Sequence, residues 1–146
     1  MNEKRQVKIK FESKQDEIVT NNFIGELYVK GQANYIKYIE TIEQQEIRHL
    51  IRYTPNELKV TRHGIIQSEQ TYRLHERRAG SYSNNVIRLQ VEAYTKRLVV
   101  KDVHNNTILG IPKLLPFHLY FDYDLFVDGQ STGSFEIRLT IEEANV

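Results

Sequence analysis

The sequence predicts an all-β fold, a single domain of about ten mostly antiparallel strands closed into one barrel. Three observations predict it. Apolar and polar residues alternate with a period of two along most of the 146 residues, the spacing of a strand with one buried face. The breaks between the alternating runs are short and carry turn-forming residues, so neighbours in sequence are expected to pair antiparallel. So many strands in one sheet must also hide their edges, and closure removes edges altogether. A two-sheet sandwich would show the same alternation and is the competing architecture.

The runs follow one another in order. Val7, Ile9 and Phe11 alternate with Lys8, Lys10 and Glu12. Phe23, Gly25, Leu27 and Val29 form the second stripe, and Tyr35 to Ile42 is apolar on both faces. Ile47, His49, Ile51 and Tyr53 alternate with Arg48, Leu50 and Arg52; Leu58, Val60 and Arg62 alternate with Lys59, Thr61 and His63. Ile66, Ser68, Gln70, Tyr72 and Leu74 make a weaker stripe. Ile87, Leu89, Val91 and Ala93 are followed by a separate short segment, Leu98 to Val103. Phe117 to Val127 and Phe135 to Ile141 alternate most strongly and flank Asp128-Gly129, which reads as a hairpin turn. Further breaks are expected at Gly31-Gln32, Thr54-Pro55-Asn56, His63-Gly64, Ala79-Gly80-Ser81 and His104-Asn105-Asn106. Only Ile39 to Ile51 invites a helix, and its polar centre, Ile42 to Ile47, fits a short turn instead. Gly110 to Pro116, with two prolines, is the expected irregular connection. Residues 1–5 are expected to be disordered.

Composition narrows the function classes. There is no cysteine, which excludes disulfides, zinc–thiolate sites and cysteine nucleophiles. No apolar run is long enough for a membrane helix, and Met1 to Lys10 has no apolar stretch of the kind a signal peptide needs. A soluble protein of the cytoplasm is expected. The net charge of +1 names no partner, but charge is unevenly spread. Arg48 to Arg78 holds seven Lys/Arg against three acids, whereas Leu114 to Val146 holds one base against six acids.

At Tyr35-Ile36-Lys37-Tyr38-Ile39-Glu40 the chain resembles the YwiB-like family of small bacterial proteins. Arg62-His63-Gly64, Gly80-Ser81-Tyr82 with Thr95 beyond, and Leu119-Tyr120-Phe121-Asp122-Tyr123 before Asp128-Gly129 are similar to that family's pattern over essentially the whole chain. One departure is Ser83-Asn84-Asn85, where the family has a Thr-Pro turn. The resemblance implies a calycin-like, lipocalin-like barrel and a bacterial, cytoplasmic origin. It implies no established activity and supplies no functional residues.

No enzyme template fits. G-x-S-x-G, a glycine-rich phosphate loop and H-E-x-x-H are all missing, and the histidines never occur as H-x-H or H-x-x-x-H. No catalytic residue, metal site or cofactor is expected. Asp122 and Asp124 share a strand face about 7 Å apart, a spacing that suits solvated carboxylates better than an acid–base pair.

The informative residues are polar ones that fall on the apolar stripes. Glu40 follows Ile36 and Tyr38, His49 lies between Ile47 and Ile51, Arg62 follows Val60, and Gln70 and Tyr72 precede Leu74. If those stripes face inward, Arg62 must be paired or ligand-bound, and Glu40 is the expected partner. Glu40, His49, Arg62 and Tyr72 are therefore the candidate anchors for a small hydrophobic or amphipathic ligand in the barrel mouth. The alternative is an outer basic face (Arg48, Arg52, Lys59, His63, Arg73 and His75, with Tyr28 or Tyr94 nearby) binding an anionic protein or nucleic acid. Interrupting acids and the lack of an aromatic nucleic-acid motif argue against nucleic acid. No membrane partner is expected, and oligomeric state leaves no mark in the sequence.

Overall fold

The computed structural model describes residues 4–144. Ten strands follow in chain order: β1 (Arg5–Lys14), β2 (Ile18–Lys30), β3 (Ala33–Ile42), β4 (Gln45–Thr54), β5 (Glu57–Gly64), β6 (Gln67–Arg73), β7 (Arg77–Ser83), β8 (Arg88–Lys101), β9 (Phe117–Val127) and β10 (Gln130–Glu143). Each pairs antiparallel with its neighbours in sequence, and β1 pairs with β10, closing the barrel. The barrel of the sequence reading is thus found, and the sandwich is not. Of residues 1–5, 1–3 lie outside the described residues and Arg5 opens β1. Among the described residues no helix is long and apolar enough to cross a membrane.

Local chemistry explains most of the turns. Glu43 and Gln44 both adopt positive φ, 50° and 67°, the backbone of a two-residue hairpin turn whose twist matches that of the strands. Ile39 to Ile51 is therefore a hairpin and not a helix. Asp128 and Gly129, at 50° and 84°, make the expected turn between β9 and β10. At the β7–β8 turn, the Asn84 side-chain oxygen accepts hydrogen bonds from the backbone N–H groups of Val86 and Ile87, so an asparagine does the work expected of a Thr-Pro turn. Asp102 likewise accepts from the N–H groups of His104 and Asn106.

Three sequence expectations are corrected. Ala79-Gly80-Ser81 is not a break but the middle of β7. Gly80 stands opposite Gln70, and a Cβ there would collide with the Gln70 side-chain oxygen. The glycine gives room to a neighbouring side chain rather than to a turn. His63-Gly64 is the end of β5, and the turn lies one step later at Ile65-Ile66. Ile87 to Ala93 and Leu98 to Val103 are not two segments, because β8 runs through both up to Lys101. A bulge at Thr95/Arg97 leaves Lys96 unmatched on β9. The inward set shifts from Ala93 and Thr95 to Leu98 and Val100, and the extra residue restores the apolar face.

The interior has two halves. Val7, Ile9, Ile36, Leu58, Leu119, Leu139 and Ile141 fill one end with branched aliphatic side chains that are essentially solvent-free. The long β8–β9 connection covers that end. Ile108 and Leu115 pack on the core, and the Asn34 side-chain amide donates to the Pro112 carbonyl at 3.3 Å. The other end, where the turns β1–β2, β3–β4, β5–β6, β7–β8 and β9–β10 lie, is the mouth.

Candidate functional site

A cavity of about 430 Å3 opens at the mouth, within the size range of small-molecule sites. Most of its wall is apolar: Phe11, Phe23, Ile51, Val60, Leu89, Val91, Phe121, Leu125, Val127 and Ile137. Strand parity sends these side chains inward, and the same parity sends polar ones in among them.

All four anchor residues read from the sequence line this cavity. His49 on β4 is 9% exposed. Its ring stacks on Tyr38 at 4.4 Å with 7° between planes, and Tyr38 stacks in turn on Phe23 at 4.4 Å. Three rings from β2, β3 and β4 thus make a continuous aromatic wall. Burial pushes the His49 imidazole below its usual pKa, outweighing the pull of Glu40, and Arg62 pushes the same way. The neutral ring donates Nε2–H to Glu40 Oε1 at 2.9 Å, which leaves Nδ1 as an acceptor. Glu40 stands nearer the rim, its side chain 30% exposed.

Arg62 does not pair with Glu40 as expected. Glu40 is engaged by His49, and Arg62 Nε donates to Ser68 Oγ at 2.7 Å. Register explains the exchange: Arg62 stands directly across from both His49 on β4 and Ser68 on β6, whereas Glu40 is a full strand further round, opposite Ile47. The guanidinium lies 5.7 Å from the centre of the Tyr82 ring. Tyr72 is 8% exposed and packs against Phe121 and Tyr123, centroids 4.9 and 4.8 Å away. Burial, the nearby Tyr123 hydroxyl and its hydrogen bond hold the Tyr72 hydroxyl well above the ordinary tyrosine range.

Ser68, Tyr82, Tyr123 and Tyr38 belong to the same wall, beyond the four residues the sequence marks as anchors. Tyr38 and Tyr123 sit within apolar stripes, where a tyrosine reads as core, and Tyr82 lies in the strand obscured by Gly80. Inward parity was the available signal for each.

The outer basic face is threaded with acids. Lys59 pairs with Glu69 at 3.0 Å, Arg73 with Glu57 at 3.2 Å and with Glu76 at 2.9 Å. His75 lies in the β6–β7 turn, with φ of 61°, rather than on a strand. Tyr28 stacks on Tyr35, whose hydroxyl accepts from Arg52 Nε at 3.2 Å. Asp124, on the outer face of β9, meets Lys96 at 2.8 Å and accepts from Ser134 at 2.5 Å. Asp122 stands across from Arg97 and Glu136. Among the described residues no three His, Asp or Glu side chains converge where a metal could sit.

A family model described as "Domain of unknown function (DUF1934)" matches residues 4–139. The chain belongs to this family. The barrel is also similar to the crystal structure of the ywiB protein from Bacillus subtilis, with a TM-score of 0.76 at 15% identity, covering 99% of this chain and 94% of that one. That likeness establishes the fold, and with the family match it bears out the YwiB-like resemblance seen in the sequence. No curated protein matches the chain.

Proposed function

We propose that this DUF1934 domain is a non-enzymatic binding protein that holds a small hydrophobic or amphipathic molecule in the mouth of its barrel. The observation that carries the reading is the cavity of about 430 Å3, whose apolar wall surrounds inward-facing Glu40, His49, Arg62 and Tyr72. An apolar pocket with a few converging polar groups suits a ligand with an apolar body and a polar end. The up-and-down strand order and the closed far end support a calycin-like kinship for the barrel. The cytoplasm and a bacterial source are part of the same proposal, and they rest on the sequence reading.

Native mass spectrometry of the protein incubated with an amphipathic probe such as decanoate tests it. A one-to-one complex is expected, and it is expected to weaken in Val91→Trp, whose larger side chain would project into the cavity. An equally abundant complex in that variant would place the probe elsewhere and overturn the reading. The outer face as a binding surface for an anionic partner has less support, because Lys59 and Arg73 already have carboxylate partners.

A further inference from the structure

Arg62 is a cation facing a largely apolar cavity without a matching carboxylate. Among the described residues no acid lies within ion-pair distance of its guanidinium, and Nε alone is committed, to Ser68. Arginine keeps its charge at any physiological pH, so this site cannot relieve the cost by losing a proton. The Arg62 side chain is half-buried, and a charge even partly withdrawn from water without a counter-charge is costly. The aromatic face of Tyr82 at 5.7 Å offsets part of that cost. The terminal Nη donors remain, and they are the pair that meets a carboxylate end-on through two parallel hydrogen bonds.

Gln70, in the same wall, supplies no second anchor. The Gln70 side chain is 8% exposed, and its Oε1 is buried without a partner. Its orientation is set by chemistry: Nε2 donates to the carbonyls of Thr71 at 2.9 Å and Arg78 at 3.1 Å, so the oxygen must be the atom turned away from them. Ser68 and Gln70 lie two residues apart on the inner face of β6, about 7 Å by strand rise. The Gln70 oxygen is turned toward Gly80 on β7 and is closed off from the cavity, so it is not a contact for the ligand.

We infer that the ligand of this cavity is an organic monoanion, a carboxylate on an apolar body, and that Arg62 is the residue that recognises its charge. The inference rests on the binding function proposed above and names the chemical class of what is bound. The carboxylate sits on the Nη groups of Arg62 near Ser68 and Tyr82. The apolar body runs along Leu89, Val91 and Phe121. Burial raises the hydroxyl pKa of Tyr38, Tyr72 and Tyr123 and lowers that of the His49 imidazole, and the Arg62 charge is a smaller downward influence on each. Glu40 is the opposing charge. Its hydrogen bond from His49 and its place at the rim weaken that opposition without removing it.

A matched pair of probes, decanoate and 1-decanol, separates charge recognition from cavity filling. By calorimetric titration, the folded wild-type protein is expected to bind decanoate at least about tenfold more tightly than decanol, the worth of one charge-assisted contact. Arg62→Met is expected to lose that preference while still binding decanol, with circular dichroism verifying the fold. Arg62→Lys, which keeps the charge but not the fork, is expected to keep part of it. Glu40→Gln is expected to increase the affinity for decanoate and leave decanol unchanged. Equal binding of both probes by the wild type, or a preference unchanged in Arg62→Met, would overturn the anion inference and leave the binding function standing. Binding of neither probe by the wild type would overturn both.

Discussion

The two ends of the barrel interior are built from the same strands with the same inward parity, yet they are filled in opposite ways. At the covered end, Val7, Ile9, Leu58, Leu119, Leu139 and Ile141 interlock, with the buried Asn34 amide tied to the Pro112 carbonyl beside them. At the mouth, the strands turn in Glu40, His49, Arg62, Ser68, Gln70 and Tyr72 around an open cavity. The covered end stores the stability that folding requires. The mouth gives up packing and turns the charged side chains of Glu40 and Arg62 toward open space, where a fold selected for stability alone would place leucines.

Core truncation should reveal the largest difference. Leu139→Ala at the covered end is expected to cost about 2–5 kcal/mol, since the packed surroundings cannot collapse into the void. Val91→Ala beside the cavity is expected to cost less than about 1.5 kcal/mol, because the space is already open. Urea unfolding of both variants checks this, and equal losses would mean that the mouth is as tightly packed as the floor.

Gly80→Ala is expected to rank next. The new Cβ meets the Gln70 side chain and the Glu69 carbonyl, so a loss of about 1–3 kcal/mol is expected from overpacking. Because the Glu69 backbone cannot yield, Gln70→Ala in the same chain should restore only part of that loss.

The pH dependence of stability is a smaller effect and belongs to the mouth. Burial holds the His49 pKa below its ordinary value of 6.5 in the folded chain. Unfolding releases that constraint, so below about pH 6.5 the unfolded chain binds more protons and stability falls as pH falls. Above that pH the contribution is fully present. Thermal melts between pH 7 and 5 should show this slope, and His49→Gln should flatten it. The remainder in that variant comes partly from His118, which burial and Arg138 also hold low. The smallest effect lies outside the barrel: Lys59→Ala, which removes an exposed ion pair with Glu69, is expected to change stability by under about 1 kcal/mol.

Much of the fold was legible because strand parity is simple. The stripes from Val7 to Phe11 and from Phe117 to Val127 name inward residues directly, and Arg62 and His49 could be placed among them by counting in twos. Features that depend on partners were harder to read. The bulge at Lys96 adds one residue to β8, and only the pairing with β9 reveals it. Gly80 looks like a turn until Gln70 is seen above it. Glu40 and Arg62 have complementary charges, but register gives each a different neighbour. The cavity itself leaves no local signal, because an empty volume depends on which of ten strands fail to fill it.

Methyl-resolved NMR during titration with decanoate tests the contrast between mouth and floor most directly. Shifts are expected at the methyls of Leu89, Val91, Leu125 and Val127, while those of Leu139 and Ile141 stay in place. Shifts centred on the floor or on the exposed outer methyls of Ile18, Ile24 and Ile39 would contradict a ligand site in the mouth of the barrel.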